Sequence, residues 1–545
     1  MSSIAVASVP APASPLPTAE PLPAASASTS AKGTAGTAAA PGKPILRIHA
    51  LRTYFYTYDG VVKALDGVDL EVGARETLGL VGETGCGKSV TAFSVLRLIA
   101  DPPGRIMSGE IRFGDANLLW GLEREAKFKP IKNTNRVKVK RNFRAIQAAQ
   151  ERVNAIRGGG ISMIFQEPSS ALNPIFSISD QLGEALRLHR GGEILKPLLS
   201  RPPSPAAVDA AIATLMEAPP GSEGQNVRAA CVAFGEALGH ETLGTEAYHV
   251  MRQSGLSVEQ RQAELKAAAR RFFLSSLQRR YVQHELRGVE LRAEINAAHR
   301  EEMVEGRSMK GQLRVLGSRG LGHWFRGLVF GLPGLGRHAK RSAKEEMFWR
   351  SVHLLEGVSI ANPYQVARGY PHELSGGMLQ RVMIAMALSS DPALLIADEP
   401  TTALDVTIQA QILDILRGLK HRLGSSVMLI THDLGVIAET ADRVAVMYAG
   451  VVVETANVQD LFRSPLHPYT QGLLNSIPRM DDPTKRLESI PGSVPNLIYP
   501  PSGCRFHPRC PHAMEICKQA RPPVTIEAKG HTVACYLYHG PVAPA

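Results

Sequence analysis

The chain has 545 residues, 44% of them hydrophobic and 20% charged, a composition that excludes wholesale disorder and predicts roughly two or three domains. Lysine and arginine outnumber aspartate and glutamate by 61 to 50, and the net charge of +11 suggests an anionic partner: nucleic acid, nucleotide or membrane. No apolar window reaches the roughly 18 residues of a membrane-spanning helix, and no secretion signal is evident, so a cytoplasmic location is expected.

The first residues differ in composition from the rest. Residues 1–44 consist almost wholly of Ala, Pro, Ser, Thr and Gly and are predicted to be a disordered tail, because they cannot bury enough surface to offset chain entropy. Ordered structure is predicted from Ile45, where two strand-like segments precede the apolar strand TLGLV. Strand and helix signals continue to His189 and resume after Met347, in LLIADEP, SSVMLITHDL and VAVMYAGVVVE. Their alternation predicts an α/β fold.

Two insertions interrupt this pattern and carry the excess charge. Residues 121–152 are helix-permissive with a net charge of +7, and residues 191–346 carry +5, which leaves the remainder of the chain near −1. Arg307–Lys344 contains nine basic residues and no acidic one, interleaved with Trp324, Phe325 and Phe330. This segment is hypothesised to lie against anionic lipid or a loop of a membrane protein, the alternative being a solvated insertion. No nucleic-acid partner is expected.

A phosphate-binding loop is predicted directly after the strand TLGLV. The sequence GETGCGKS fits G-x-x-x-x-G-K-[ST], and a helical segment follows it. Backbone N–H groups of such a loop surround phosphates, the lysine reaches the β- and γ-phosphates of ATP, and the serine hydroxyl binds Mg²⁺. The predicted nucleotide-binding residues of the loop are Gly82, Glu83, Thr84, Gly85, Cys86, Gly87, Lys88 and Ser89.

Two carboxylates and a histidine follow other apolar strands. Asp398 and Glu399 end LLIADEP, and His432 ends SSVMLITH. Because ligands collect at the carboxyl edge of parallel sheets, Asp398 is predicted to hold the metal ion through water and Glu399 to polarise the attacking water. His432 is expected at the same edge.

A second candidate phosphate site is the glycine pair in Leu374–Met378, LSGGM, which opens an apolar helix. One nucleotide does not need two such sites from one chain. We therefore expect the second site to complete the nucleotide site of a neighbouring subunit.

Together, GETGCGKS, Gln166 in FQEP, LSGGM, LLIADEP, Ala403-Leu-Asp405 and His432 resemble the ordered motifs of an ABC-transporter ATPase subunit. The resemblance implies an α/β ABC ATPase fold with a RecA-like core, an antiparallel β subdomain and an α-helical subdomain. The two insertions fall in or near the helical subdomain.

The same resemblance implies residue roles. Glu399 is the catalytic base, His432 stabilises the transition state, and Lys88 acts on the phosphates. Mg²⁺ is held through Ser89, Gln166 and Asp398, and Gln166 also senses the permease. Ser375, Gly376 and Gly377 bind the γ-phosphate held by the opposite subunit, and Asp405 belongs to the dimer loop. Tyr58 stacks on adenine, with Tyr56 as the competing candidate.

The sequence departs from the family pattern at two positions. Cys86 stands where Ser is usual, and Met378 stands where many members carry Gln. Neither change removes a catalytic side chain.

The C-terminal part narrows the family. The segments SPLHPYTQGLLNSIPRMDD, IPGSVPNL and GCRFHPRCPHAMEIC resemble the extension of oligopeptide and dipeptide importer ATPases, a group that includes nickel importers. The chain resembles the D-type subunit, which pairs with an F-type ATPase, two permease subunits and an extracytoplasmic solute-binding protein at the membrane. The expected domains are an ATPase over residues 45–463 and a Cys-rich extension over residues 464–545.

Four of the six cysteines are grouped near the C-terminus. Their spacing is C-x₅-C-x₆-C-x₁₇-C, and four thiolates favour an iron–sulfur cluster or zinc. The absence of paired C-x₂₋₄-C knuckles favours [4Fe–4S] over zinc, as the family resemblance does, while metal-free thiols stay an alternative. The predicted ligands are Cys504, Cys510, Cys517 and Cys535, and the isolated Cys231 is predicted to be a small buried residue.

The predicted function is therefore that of an ATP-hydrolysing subunit that energises import of di- or oligopeptides through a membrane permease. Import of nickel or another small solute is the alternative within transport. A soluble ABC ATPase that acts on DNA or ribosomes, and a regulatory module without turnover, are alternatives of other classes.

Overall fold

The computed structural model describes residues 43–130, 137–200, 202–217, 224–253, 255–330, 337–402, 404–476, 490–527 and 530–539. The predicted disordered tail, residues 1–44, lies outside the described residues except for its last two. The strands are β1 Leu46–Tyr56, β2 Val61–Val72, β3 Thr77–Val81, β4 Gly104–Phe113, β5 Ala116–Asn117, β6 Ala126–Pro130, β7 Val137–Arg141, β8 Ile161–Ile164, β9 Leu394–Asp398, β10 Ser426–Ile430, β11 Arg443–Tyr448, β12 Val451–Asn457, β13 Thr525–Ile526 and β14 Thr532–Val533.

The helices surround these strands. In chain order they are α1 Lys88–Val95, α2 Phe143–Asn154, α3 Pro168–Ala171, α4 Ile178–His189, α5 Gly191–Leu199, α6 Pro205–Met216, α7 Gly224–Ala237, α8 Glu241–Arg252, α9 Val258–Ala269, α10 Ser276–Glu305, α11 Lys310–Phe330, α12 Arg337–Gly357, α13 Pro363–Arg368, α14 Gly376–Leu388, α15 Val406–Leu423, α16 Leu434–Thr440, α17 Val458–Arg463, α18 Pro468–Asn475 and α19 Glu515–Gln519.

The central sheet has the strand order β13-β14-β12-β11-β3-β10-β9-β8. Its strands β8, β9, β10, β3 and β11 run parallel to one another, and every residue of β3, β8, β9 and β10 is buried. Continuous apolar strands of this kind need cover on both faces, which the helices provide. The carboxyl ends of the parallel strands therefore meet at one edge, where the predicted site residues lie.

A second sheet is antiparallel, with the order β2-β1-β4-β5. In β1, the first residues alternate between buried and exposed, as expected of a strand with one face on a core. This sheet and the helices complete the mixed α/β architecture that the sequence predicts.

The first insertion differs from its prediction as a helix-permissive segment. Its first half forms the antiparallel hairpin β6–β7, and only its second half forms a helix, α2. The alternating valines and lysines of β7, VKVKR, have the period of a strand, which overrides the helix propensity of lysine.

The second insertion builds a hydrophobic core of its own from helices α5–α10. Cys231 is completely buried in it, as predicted, and burial raises the pKa of its thiol to about 12. The core is formed by Leu198, Val208, Ile212, Leu215, Cys231, Phe234, Leu238, Leu243, Ala247, Val250, Leu265, Ala268, Ala269, Phe272, Leu274, Tyr281 and Val282.

The two insertions pack against each other. Trp120 donates through Nε1 to the carbonyl of Gly306 at 2.9 Å, and its ring lies 4.6 Å from the guanidinium of Arg152. Arg152 in turn forms a buried ion pair with Glu302 of α10 at 3.7 Å. Segments separated by more than a hundred residues in sequence therefore meet at one polar junction.

The C-terminal extension joins the central sheet. Its strand β14 pairs with β12, and β13 pairs with β14, so the extension supplies one edge of the sheet. The buried Glu454 of β12 binds His531 of the extension at 2.7 Å and accepts from the backbone N–H groups of Leu466 and His467. Within the described residues, none of the helices combines the length and apolar character needed to cross a bilayer.

Candidate nucleotide site

The loop Gly82–Ser89 connects β3 to α1, as the sequence predicts. Gly82, Gly85 and Gly87 all have positive φ angles, of 151°, 82° and 106°. A Cβ atom on Gly82 would lie 2.1 Å from the carbonyl oxygen of Met447, so the turn also needs glycine for space. The loop thus takes a conformation that only its glycines allow, with the N-terminus of α1 behind it.

Lys88 and Ser89 lie at the start of α1. Lys88 Nζ donates to the carbonyl oxygens of Gly82 at 2.7 Å and Glu83 at 3.2 Å. Ser89 donates through Oγ to Asp398 Oδ1 at 3.1 Å. The structure therefore brings together the hydroxyl and the carboxylate that the sequence assigns to Mg²⁺.

Cys86 is completely buried within the loop, and burial raises the pKa of its thiol. It therefore fits the expected small, uncharged residue at a position where the backbone N–H does the binding.

The environment of Asp398 suits a metal ligand. The residue is 1% exposed, and its second oxygen, Oδ2, is buried with no hydrogen-bond partner among the described residues. Burial raises the pKa of this carboxyl to about 6, and the neighbouring Glu399 raises it as well, while Ser89 opposes the shift. A cation beside Oδ2 would compensate the buried charge, so the residues present fit Mg²⁺.

Glu399 collects three other polar side chains around its carboxylate. Gln166 Nε2 donates to Oε2 at 3.1 Å and Thr402 Oγ1 donates to the same oxygen at 2.9 Å. His432 Nδ1 lies 3.2 Å from Oε1. These residues follow β8, β9 and β10, so adjacent parallel strands deliver them to one edge of the sheet. The carboxylate is oriented by neighbours rather than neutralised by a buried cation.

The glycine pair LSGGM begins α14. Ser375 is its N-cap, with Oγ accepting from the backbone N–H of Met378 at 3.4 Å. Gly377 packs against α15: a Cβ atom added to it would lie 3.3 Å from the side chain of Ile408. Asp405 caps α15 by accepting from the backbone N–H group of Ile408 at 2.8 Å. The two motifs are thus joined in one rigid unit. Ala403 lies outside the described residues.

The two adenine candidates differ in exposure. Tyr58 is fully exposed in the turn between β1 and β2, whereas Tyr56, at the end of β1, is 39% exposed and its hydroxyl lies 3.3 Å from Met107 Sδ. Exposure favours Tyr58 as a side chain free to stack on a base.

The four C-terminal cysteines meet in one recess, which His467 and Phe506 also line. They form no disulfide. Burial, together with the charges of the other three nearby thiols, raises the pKa of Cys535 to about 11. Within the described ranges no group of three or more His, Cys, Asp or Glu side chains is placed to hold a metal ion.

The sequence did not indicate the contacts that the C-terminal extension makes with this site. Arg509 pairs with Glu83 of the phosphate loop, and the hydroxyl of Tyr469 accepts from the Glu83 backbone N–H group. These residues are more than 380 positions apart in the chain, and no local pattern signals their proximity. Thr402 beside Glu399 was also missed, although it lies three residues after a predicted site residue.

The fold and the site define a P-loop nucleotide-binding ATPase. The family described as ABC transporter matches residues 65–402, and the family described as oligopeptide/dipeptide transporter, C-terminal region, matches residues 453–517. The chain belongs to the ABC transporter family, among the oligopeptide and dipeptide transport ATP-binding proteins.

Curated relatives support this placement over nearly the whole chain. The oligopeptide transport ATP-binding protein AppD of Bacillus subtilis is 32% identical, with 91% of this chain and 97% of AppD covered. The dipeptide transport ATP-binding protein DppD of the same organism is 31% identical, with 90% and 94% covered. The oligopeptide transport ATP-binding protein OppD of Salmonella typhimurium is 32% identical, with 92% and 96% covered.

Proposed function

We propose that this protein binds and hydrolyses ATP and thereby energises import of di- or oligopeptides through a membrane ABC permease. The observation that carries the proposal is the convergence of Lys88, Asp398 and the Gln166–Glu399–His432 group at one edge of the central sheet. The match of the C-terminal region to peptide transporters favours this function over a soluble, non-transport ABC ATPase.

In the proposed mechanism, the loop N–H groups and Lys88 hold the β- and γ-phosphates of ATP. Ser89, Gln166 and Asp398 would hold Mg²⁺, which would supply positive charge to the phosphate oxygens. Glu399 orients the attacking water and accepts its proton, while Gln166 and Thr402 fix the Glu399 carboxylate. His432, beside the other Glu399 oxygen, stabilises charge on the γ-phosphate.

The complete site needs a second ATPase subunit. We assign Ser375, Gly376 and Gly377, at the N-terminus of α14, to the γ-phosphate bound by that subunit, and Asp405 to the contact between the two. Tyr58 is assigned to the adenine. An F-type ATPase, two permease subunits and an extracytoplasmic binding protein complete the proposed assembly, which places this chain on the cytoplasmic face of the membrane.

The domain organisation follows from these roles. An ATPase domain over residues 45–463 carries both insertions, an extension over residues 464–545 carries the cysteines, and residues 1–44 form a tail. The pairing of β14 with β12 supports a close union of extension and ATPase.

The cysteine recess is proposed to hold a [4Fe–4S] cluster through Cys504, Cys510, Cys517 and Cys535. Four thiolates bind such a cluster, and the observation that supports the proposal is that all four cysteines line one recess. The chemistry that the cluster supplies is structural cross-linking of the extension.

The catalytic assignment is tested by Glu399→Gln. The substitution keeps the shape of the side chain but removes the proton acceptor, so we expect ATP hydrolysis to fall by at least about 100-fold with ATP affinity retained. Hydrolysis and equilibrium ATP binding should both be measured on variant and wild type. Undiminished hydrolysis by the purified variant would refute the role of Glu399.

The basic segment of the second insertion is proposed to bind anionic lipid at the membrane surface. On α11, Val315, Leu321 and Trp324 are exposed next to the exposed basic residues Lys310 and Arg314. Nine basic and no acidic residues in Arg307–Lys344 match a negatively charged bilayer. The side chains of Phe325 and Phe330 lie outside the described residues.

Co-sedimentation with phosphatidylglycerol vesicles tests this surface. We expect binding at low salt, loss at high salt, and loss in a variant lacking residues 307–344, because exposed charges are screened by ions. Vesicles of neutral phosphatidylcholine are the control. Equal co-sedimentation of the deletion variant and the intact protein at low salt contradicts the proposal.

A further inference from the structure

The C-terminal extension reaches directly into the phosphate-binding loop through Arg509. Its Nη1 and Nη2 atoms donate to Glu83 Oε2 at 2.7 Å and Glu83 Oε1 at 3.1 Å, which is the two-pronged geometry of a guanidinium–carboxylate pair. Arg509 is buried, while Glu83 occupies the second position of the loop. The pair therefore spans the boundary between the extension and the nucleotide site.

Arg509 is itself fixed in place. Its Nε atom donates to the carbonyl of Pro491 at 2.9 Å, and Nη1 also lies 3.3 Å from the hydroxyl of Tyr448. The guanidinium also lies against the ring of Phe506, about 6.0 Å from its centroid. Because these contacts already fix the Arg509 side chain, it loses little conformational entropy when it pairs with Glu83. Arg509 is therefore a rigid support for the Glu83 carboxylate.

A second contact holds the main chain of Glu83. Its backbone N–H group donates to the hydroxyl of Tyr469 at 2.9 Å. Tyr469 is completely buried and packs against Tyr448 and Phe506, with ring centroids 4.6 and 5.4 Å away. The C-terminal region thus fixes both the side chain and the backbone of one loop residue, whose carbonyl in turn accepts from Lys88.

The short segment Cys504–Cys510 contacts both the cysteine recess and the phosphate loop. Cys504 and Cys510 line the cysteine recess, Arg509 holds Glu83, and Phe506 borders both the recess and the tyrosines. If the segment and the loop are coupled through these contacts, nucleotide binding to the loop orders the segment by thermodynamic reciprocity.

We propose that Arg509 and Tyr469 are positioning residues for nucleotide binding: they hold Glu83, and with it the first turn of the phosphate loop, in the conformation that receives ATP. The inference rests on the proposed ATPase function and deepens it. Neither residue touches the phosphates, so their effect is on affinity rather than on the chemical step.

The test compares Arg509→Gln and Tyr469→Phe with the wild type in MgATP affinity and in the KM and kcat of hydrolysis. We expect Arg509→Gln to weaken ATP binding and raise KM about 10-fold, and Tyr469→Phe about 3-fold, with kcat changed less than about 2-fold. Arg509→Lys should recover only part of the affinity, because an ammonium cannot form the two-pronged pair.

Arg505→Gln is the matched control. Arg505 is a buried arginine in the same segment, but its partner is Asp66 at 2.5 Å rather than the loop. Asp66 is also paired with Arg521 of the extension, so the extension stays attached in this variant. If Arg505→Gln weakens ATP binding as much as Arg509→Gln, the effect is general loosening of the extension and the proposal is overturned. A double-mutant cycle that combines Arg509→Gln with Glu83→Gln tests the same point. Additive effects of the two substitutions on ATP affinity would contradict a direct coupling between the residues.

Amide hydrogen exchange supplies a readout independent of turnover. We expect MgATP to slow exchange of residues 504–510 in the hydrolysis-deficient Glu399→Gln background and to leave it unchanged when Arg509→Gln is added. Protection that persists without Arg509 overturns the proposal. If the wild type binds no ATP at all, the proposed function itself fails, and that result is distinct from normal ATP binding by Arg509→Gln.

Discussion

At the scale of the residue, Asp398 carries a carboxyl group whose burial disfavours its ionised form. It is almost completely buried, accepts one hydrogen bond from Ser89, and has an unpartnered second oxygen among the described residues. Burial raises the pKa of the carboxyl from 3.8 to about 6. Because the folded pKa exceeds the unfolded value, the contribution of this group to stability is fully present below pH 4 and is lost as the pH rises through about 6.

Asp398→Asn is therefore expected to stabilise the protein when nucleotide and Mg²⁺ are removed with EDTA. The expected gain in the free energy of unfolding is about 1–3 kcal/mol at pH 8, and it should be about half as large at pH 5, where the folded-state carboxyl is largely protonated but the unfolded-state carboxyl is ionised. Urea denaturation of both proteins at the two pH values measures it. A gain that does not grow with pH, or a loss, is the result that would disprove this account.

At the scale of the element, the second insertion has a hydrophobic core of its own. Phe272 is 1% exposed and stacks on the ring of His240 at 3.6 Å, while the adjacent Phe273 is 39% exposed. Burial lowers the pKa of His240 to about 4, and Arg271 lowers it further, so the stacked ring is neutral near pH 7. Helix packing rather than contact with the nucleotide site holds this insertion together.

Phe272→Ala is expected to destabilise the insertion by about 3–4 kcal/mol, because it removes a fully buried aromatic ring and leaves a cavity. Limited proteolysis should then cut within residues 191–346, whereas ATP binding should be retained. Phe273→Ala is the control and should cost less than about 1 kcal/mol. Equal protease sensitivity of the two variants would contradict the burial that separates them.

At the scale of the whole molecule, Asp66 joins the extension to the antiparallel sheet. Its carboxylate is bound by Arg505 at 2.5 Å and by Arg521, both from the extension, and it accepts from Tyr54 at 3.0 Å. Burial alone would raise the pKa of Asp66, but these partners hold it below the usual value. Its contribution to stability is thus present above pH 4 and is lost as the pH falls through the lowered pKa.

Asp66→Ala should detach the extension from the ATPase domain, because it leaves the buried Arg505 without its charge partner. The expected loss is about 3 kcal/mol, seen in thermal unfolding as a lower midpoint or a separate early transition. Asp69→Ala, at an exposed site beside His49, is the control and should shift the midpoint little. A midpoint for Asp66→Ala equal to that of the control would show that the extension is held elsewhere.

The phosphate loop, the strands that deliver Asp398 and His432, and the α/β fold could be predicted from the sequence. All of them depend on local sequence patterns. In the phosphate loop, for example, a strand, glycines that allow positive φ and a helix start lie within about 15 residues of one another. The grouping of four cysteines is equally a matter of spacing. Local sequence therefore determines which residues form the site and which strands and helices bear them.

Other features were decided only by the tertiary structure. The junction of Arg152 with Glu302 and the pairing of Arg509 with Glu83 depend on segments that meet across the fold. Contacts between residues distant in sequence produce no periodic pattern in the chain, because they depend on how the helices and strands pack against each other. The sequence determined what the site contains, and the packing of the extension decided what holds it in shape.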